Sequence, residues 1–196
     1  MPHARTAIVL AVVAGALVLT AAVAPTTDDS AAPAATQGAA VAYLRIEGIQ
    51  GGSAAERYGG WMDVTAFEWD VSSMAGGAVG ATRTTAAAEF GPLRVLKPVD
   101  KATPMLAQAC ASGRRYPEAE LVFFGAGSTQ PIGRVTLADV RIVESASAGG
   151  DMPAPEERLS LSFGRVEWTY IDIDPNTNRP RGEVKAGWDL AANRPM

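Results

Sequence analysis

The segment Asp172-Ile173-Asp174-Pro175-Asn176-Thr177-Asn178 places an oxygen side chain at every second position, and Glu183 stands at the twelfth. That spacing is how a helix–loop–helix site wraps hard oxygen donors around calcium. Three features point away from it. Thr177 stands where such a loop needs glycine. The flanks alternate like strands, and Pro175 and Pro180 stiffen the connection. A polar hairpin is the simpler reading. Asp172, Asp174, Asn176 and Asn178 remain a weak candidate for a metal loop, and no cofactor is expected.

Other reactive types read as structural. Cys110 falls on the apolar side of a short helix and has no histidine to activate it, so it reads as core. Glu118 and Glu120 are two apart on a strand and share a face. A solvated outer face explains them better than an acid–base pair. Lys101 beside Asp100 reads as a surface pair at a helix entry. The one histidine, His3, lies in an N-terminal leader. Without it, Ser-His-Asp triads, Cys-His dyads and His-ligated zinc are excluded from the mature chain. A single cysteine excludes an intrachain disulfide and a thiolate zinc site. No phosphate loop or dinucleotide fingerprint is present, and a binding or assembly role is left by elimination.

The elements that hold these residues follow from composition and periodicity. The chain has 196 residues, 47 % hydrophobic and 19 % charged, a globular balance. Its formal net charge is −4 with no basic cluster, which argues against a nucleic-acid partner. Residues 1–24 read as a secretory signal peptide. Arg5 gives the positive start, and an uncharged apolar run from Ala7 to Ala24 follows. Thr20-Ala21-Ala22 and Ala22-Val23-Ala24 are candidate cleavage sites. The run is also long enough for an uncleaved anchor, the one route by which a membrane becomes a partner. Removing the leader removes Arg5 and takes the net charge to −5. Residues 25–40 form a low-complexity linker without aromatic or large aliphatic residues, expected to be disordered.

From Val41 to Met196 the chain reads as a mainly β domain. Strands are expected at Val41–Ile49, Trp61–Val71, Thr85–Val99, Ala119–Phe124, Val135–Glu144, Leu159–Tyr170 and Gly182–Leu190. In Leu159–Tyr170 the alternating set Leu159, Leu161, Phe163 continues after Gly164 as Val166, Trp168 and Tyr170. The tryptophans Trp61, Trp69, Trp168 and Trp188 suit core or subunit contacts. One helix is expected, with Thr103 as N-cap, Pro104 first and Gly113 closing it. Met105, Leu106, Ala109 and Cys110 share its packed side, and Arg114 and Arg115 follow its C-terminus. At that length it must pack on the sheet. The fold class is a β-barrel or sandwich of two antiparallel sheets with one short flanking α-helix. Long strands leave edges that a neighbouring subunit can cover.

Several motifs then fall in order. Ala42-Tyr43-Leu44-Arg45-Ile46-Glu47-Gly48-Ile49 precedes Gly51-Gly52-Ser53 and Gly60-Trp61-Met62-Asp63-Val64. Val99-Asp100-Lys101-Ala102-Thr103-Pro104 leads to Ala109-Cys110-Ala111-Ser112-Gly113. Val166-Glu167-Trp168-Thr169-Tyr170 and Val184-Lys185-Ala186-Gly187-Trp188-Asp189-Leu190 complete the series. The series resembles the haemolysin-coregulated protein (Hcp) family, the tube proteins of bacterial type VI secretion, over residues 41–194.

The resemblance implies a homo-hexameric ring with a wide channel and no enzymatic activity. It implies rings stacked into a tube that a contractile sheath expels, with small effectors in the lumen and a spike protein at the tip. Residues 72–84 match the family's extended loop toward the adjacent ring, with Met74, Gly76, Gly77, Val79 and Arg83 as stacking residues. Arg83 is the loop's one charge, so weak or altered stacking is expected. The leader departs from the family, whose tube subunits assemble in the cytoplasm. It directs the chain to the periplasm, cell envelope or exterior. The alternative role is an exported Hcp-like binding module at the envelope, outside any tube.

Overall fold

The structure is a computed structural model that describes residues 40–73, 88–150 and 154–196. The leader, the linker up to residue 39, the stacking residues Met74, Gly76, Gly77, Val79 and Arg83, and the start of the expected third strand lie outside them. The elements are β1 (Ala42–Ile46), β2 (Met62–Val64), β3 (Ala66–Glu68), β4 (Val71–Ser73), β5 (Ala88–Phe90), β6 (Leu93–Pro98), α1 (Thr103–Ser112), β7 (Arg115–Phe124), β8 (Pro131–Ala148), β9 (Glu156–Ser162), β10 (Arg165–Ile173), β11 (Pro180–Asp189) and β12 (Arg194–Pro195).

Three expected strands are broken, each for a local reason. The run from Trp61 to Val71 becomes β2, β3 and β4. Thr65 is the corner between β2, which pairs with β1, and β3, which pairs with β6. Both its amide and its hydroxyl bond to the Leu96 carbonyl, at 2.8 and 3.1 Å. The run ending at Val99 divides into β5 and β6 at Gly91-Pro92. A side chain on Gly91 would collide with the Asp70 carboxylate. The run from Leu159 to Tyr170 divides into β9 and β10 at Phe163-Gly164.

A ten-stranded antiparallel sheet has the order β12-β11-β10-β8-β7-β1-β2, and β4 and β5 form a separate two-stranded sheet. The 18-residue strand β8 is the branch point. Its first half lies between β7 and β10, while Arg141–Ala148 pair with β9. From β9 the second branch continues through β6 to β3. The branches meet at the Thr65 corner without forming a closed barrel, so the sandwich form of the expectation holds. Period-two alternation turns Leu44, Leu121, Leu137 and Val166 from one branch, and Val95, Leu159 and Leu161 from the other, into one core.

The helix supplies two corrections. Ala102, not Thr103, occupies the N-cap, and its side chain caps nothing. Thr103 is the first helical residue, and its hydroxyl donates to Glu157 Oε2 at 2.8 Å and accepts the Asp100 amide at 3.2 Å. Asp100 takes over the capping by accepting the Ala102 amide at 3.0 Å. The buried stripe is Ala102, Leu106 and Ala109, at spacings of four and three. Met105 lies beside that stripe and is exposed, whereas Cys110 packs partly buried against the core. Gly113, at φ 63°, ends the helix as expected.

The second correction concerns Asp100, whose partner is Lys97. Lys97 and Glu157 face each other across β6 and β9, and both are fully buried. Lys97 Nζ donates to Glu157 Oε2 at 3.1 Å, Asp100 Oδ1 at 2.9 Å and the Pro98 carbonyl at 2.8 Å. Ser145 on β8 donates to Glu157 Oε1 at 2.8 Å, and the Gly52 amide to Asp100 Oδ2 at 2.7 Å. One ammonium thus ties β6, β8, β9, α1 and the loop after β1 together. A buried charge is tolerated when its donors and acceptors are all used, and here Lys97 uses all three protons.

Truncating one partner strands the other. Lys97→Ala should lower stability by about 3–5 kcal/mol in urea denaturation. The double substitution Lys97→Met with Glu157→Leu should recover most of that loss. A double-variant loss equal to the sum of the losses from Lys97→Met and Glu157→Leu alone would show that the charges are not coupled.

Candidate functional site

Among the described residues several charged side chains are engaged by one another. On the solvent face, Arg45 of β1 reaches Glu118 Oε1 and Glu120 Oε2, both at 2.9 Å. These are the two carboxylates that the sequence places on one face, and they form an ion ladder across β1 and β7. Arg134 Nε lies 2.8 Å from Glu120 Oε1. Its N–H does not point along that line, so this contact is electrostatic without an aligned hydrogen bond. Lys101 is exposed and takes no part in the Asp100 network.

The candidate metal loop is the turn between β10 and β11. Asp174 Oδ1 accepts the amides of Asn176 at 2.8 Å and Thr177 at 3.2 Å, which closes an Asx-type turn. Asp172 pairs with Arg181 at 3.0 Å. Asn178 has a positive φ of 51° and donates to Thr129 Oγ1 at 3.1 Å. The oxygens thus serve the turn, as in the hairpin reading. No group of three or more His, Cys, Asp or Glu among the described residues is placed to hold a metal ion.

The aromatics form three clusters. Tyr43 and Tyr58 stack in parallel with centroids 4.3 Å apart, and Phe124 meets both edge-on. Burial raises both phenol pKa values. They line an open cleft of about 540 Å³ that includes Val41, Arg57 and the Gly125–Thr129 turn. Trp61 meets Tyr58 edge-on and carries the Arg45 guanidinium 5.3 Å above its ring. In the second cluster, Phe90 of β5 packs on Trp168 and Trp188. In the third, Trp69 stacks on Phe67 and both meet Phe123. The four tryptophans thus make packing contacts within the chain, and each is only partly buried.

One expected burial fails. Val166, Trp168 and Tyr170 share the inner face of β10 as the alternation requires, but Tyr170 is 57 % exposed. On that face the core stops at Trp168, while Ile171 on the opposite face is still buried. β8 pairs with β10 as far as Tyr170, and only beyond it do β10 and β11 run on alone; Val184, directly opposite Tyr170, is 68 % exposed. Period-two reading gives the face of a residue, not the length of core beneath it.

This arrangement of strands has known counterparts. The family model described as "Type VI secretion system effector, Hcp" matches residues 43–170, from β1 into β10. The chain belongs to the Hcp family. It is 36 % identical over 107 residues to protein hcp1 of Pseudomonas aeruginosa. That alignment covers 52 % of this chain and 64 % of the relative, so the chain spans less than two thirds of the length of this curated relative. The crystal structure of Hcp1 from Salmonella typhimurium matches with a TM-score of 0.66 at 25 % identity, covering 79 % of this chain and 97 % of that one. A structure described as a type six secretion system protein matches in fold with a TM-score of 0.72 at 24 % identity, covering 79 % and 98 %.

The hairpin turn of this Hcp-family chain yields a pH prediction. The amides of Asn176 and Thr177 hold the Asp174 carboxyl below the ordinary carboxylate range. A depressed folded value means that the turn gains stability above the unfolded Asp pKa, about 3.9. That gain fades as pH falls through the lower folded value. An NMR titration should place the Asp174 midpoint below 3.9. Asp174→Ala should abolish the acid-induced chemical-shift change at the Asn176 and Thr177 amides. A midpoint at or above the ordinary value would contradict the turn geometry.

Proposed function

We propose that this chain is a structural, ring-forming Hcp protein of the type VI secretion class, without catalysis of its own. The family match over residues 43–170 carries the reading. The ion pairs support it, because Arg45, Glu118, Glu120, Lys97, Asp100 and Glu157 are all spent on holding strands and helix. A contact repeated head to tail around an axis closes into a ring, and the family resemblance sets the number at six. On this reading the lumen carries small effectors and a spike protein caps the stack. Met74, Gly76, Gly77, Val79 and Arg83 make the contacts between rings.

Residues 1–24 are assigned as an export signal and 25–40 as a linker between it and the domain. That leader favours a second reading, an exported Hcp-like binding module that keeps the fold and serves the envelope outside any tube.

Light scattering on the chain recovered from cells tests the first reading. At tens of micromolar it should give about six times the monomer mass, with rings in negative stain. A stable monomer would overturn it. Fractionation tests the second. Recovery in the periplasm or medium without residues 1–24 is the expected result, and confinement to the cytoplasm with residues 1–24 retained removes that reading.

A further inference from the structure

The cleft that Tyr43 and Tyr58 line is left without a role by the ring reading. Its floor is the aromatic cluster of Tyr43 on β1, Phe124 at the end of β7 and Tyr58 from the loop after β1. Its walls are two turns, residues 55–58 and 125–129, so a single chain supplies every part of it. At about 540 Å³ it has the size of a small-molecule site, and an apolar floor with a few convergent polar groups is how such sites are built.

The polar groups still unused there are mostly donors. Neither phenol hydroxyl is bonded to another described residue. Burial holds both phenol pKa values above the ordinary range, and at Tyr43 the charge of Asp63 adds to the effect. Both therefore keep their protons at neutral pH and can donate. The amides of Ala126 and Gly127 have no acceptor among the described residues. Ser128 and Thr129 differ, because their hydroxyls are already bonded to the Gln130 carbonyl and to Asn178.

Arg57 supplies the charge. It belongs to one wall, and its Nη1 reaches Gln130 Oε1, next to the other wall, at 3.4 Å. Arg45 and Arg134 are taken by Glu118 and Glu120, whereas Arg57 forms no ion pair among the described residues. Glu56 is the carboxylate of the lining; it is exposed and makes no such bridge.

A floor of rings packs best against another flat, apolar body. A guanidinium surrounded by further donors calls for an anionic acceptor, and a carboxylate meets a guanidinium at two points. An extended peptide finds no strand edge here. Val41, the strand-side residue of the cleft, already spends its amide on Val64 and its carbonyl on Phe124. A nucleic acid or an anionic membrane would need more than one cation.

We propose that this cleft binds a small aromatic carboxylate, its ring against Tyr43, Tyr58 and Phe124 and its carboxylate on Arg57, with the phenol hydroxyls and the Ala126 and Gly127 amides as further donors.

The test titrates the full chain with hydrocinnamate and with its neutral amide, which has the same ring and no charge. Calorimetry should give a dissociation constant below about 1 mM for the acid and at least about tenfold weaker binding for the amide. Arg57→Ala should bring the acid down to the level of the amide. Tyr58→Phe keeps the ring stack, removes one hydroxyl and should weaken the acid several-fold. Arg57 is exposed and the Phe ring replaces the Tyr ring, so both variants should keep the wild-type circular dichroism and melting midpoint. Hydrogen exchange over residues 125–129 of the wild type should slow when the acid is added. Absence of acid binding by the wild type up to about 10 mM overturns the proposal. So does equal binding of acid and amide by the wild type, or an Arg57→Ala variant that still prefers the acid.

Discussion

An ammonium with no access to water must be met on every side or the chain will not fold around it. Lys97 sets that condition for this domain. Its three protons fix the positions of a β9 carboxylate, the Asp100 side chain and the Pro98 carbonyl. Asp100 in turn presents its oxygens to the helix start and to Gly52. Thr103 lies inside the helix, and its hydroxyl bridges Glu157 and the Asp100 amide. The register of β6 against β9, the entry angle of α1 and the course of the loop after β1 are consequences of one charge placement. An apolar pair at these positions would pack but would leave each of those choices less constrained.

The class of the fold and most of its strands were legible because alternation in a half-buried strand is a strong local signal. The helix was legible from Pro104, Gly113 and the apolar residues between them. The breaks were not. Thr65 reads as one more residue of a strand, and only its two bonds to Leu96, 31 positions away, make it a corner. The Lys97–Glu157 pair left a trace that alternation could have exposed. Lys97 has the parity of Leu93 and Val95, and Glu157 that of Leu159 and Leu161. Opposite charges on the inward parity of two strands suggest a buried pair once pairing is known, but a pairing 60 positions apart is not a local property. Tyr170 failed for the complementary reason, since its parity was correct and the core beneath it had ended.

The site residues tell the same story at smaller scale. Glu118 and Glu120 share a face as their spacing dictates, and Arg45 is the partner that spacing could not name. The oxygens from Asp172 to Asn178 have the order of a cation loop, yet backbone amides and Arg181 claim Asp174 and Asp172. Composition restricted the chemistry available to this chain, and geometry shows where the remaining charges are spent.

The length of β8 imposes an order on folding. Its hairpins with β7 and β9 and the β10–β11 hairpin close over short loops and can form early. The pairings of β1 with β7 and of β6 with β9 join segments far apart in sequence and must wait for that meander. Lys97 and Glu157 belong to the late set. Each pairing of that set closes a loop far longer than any hairpin of the meander, so the entropy of ordering the chain is concentrated in these two pairings.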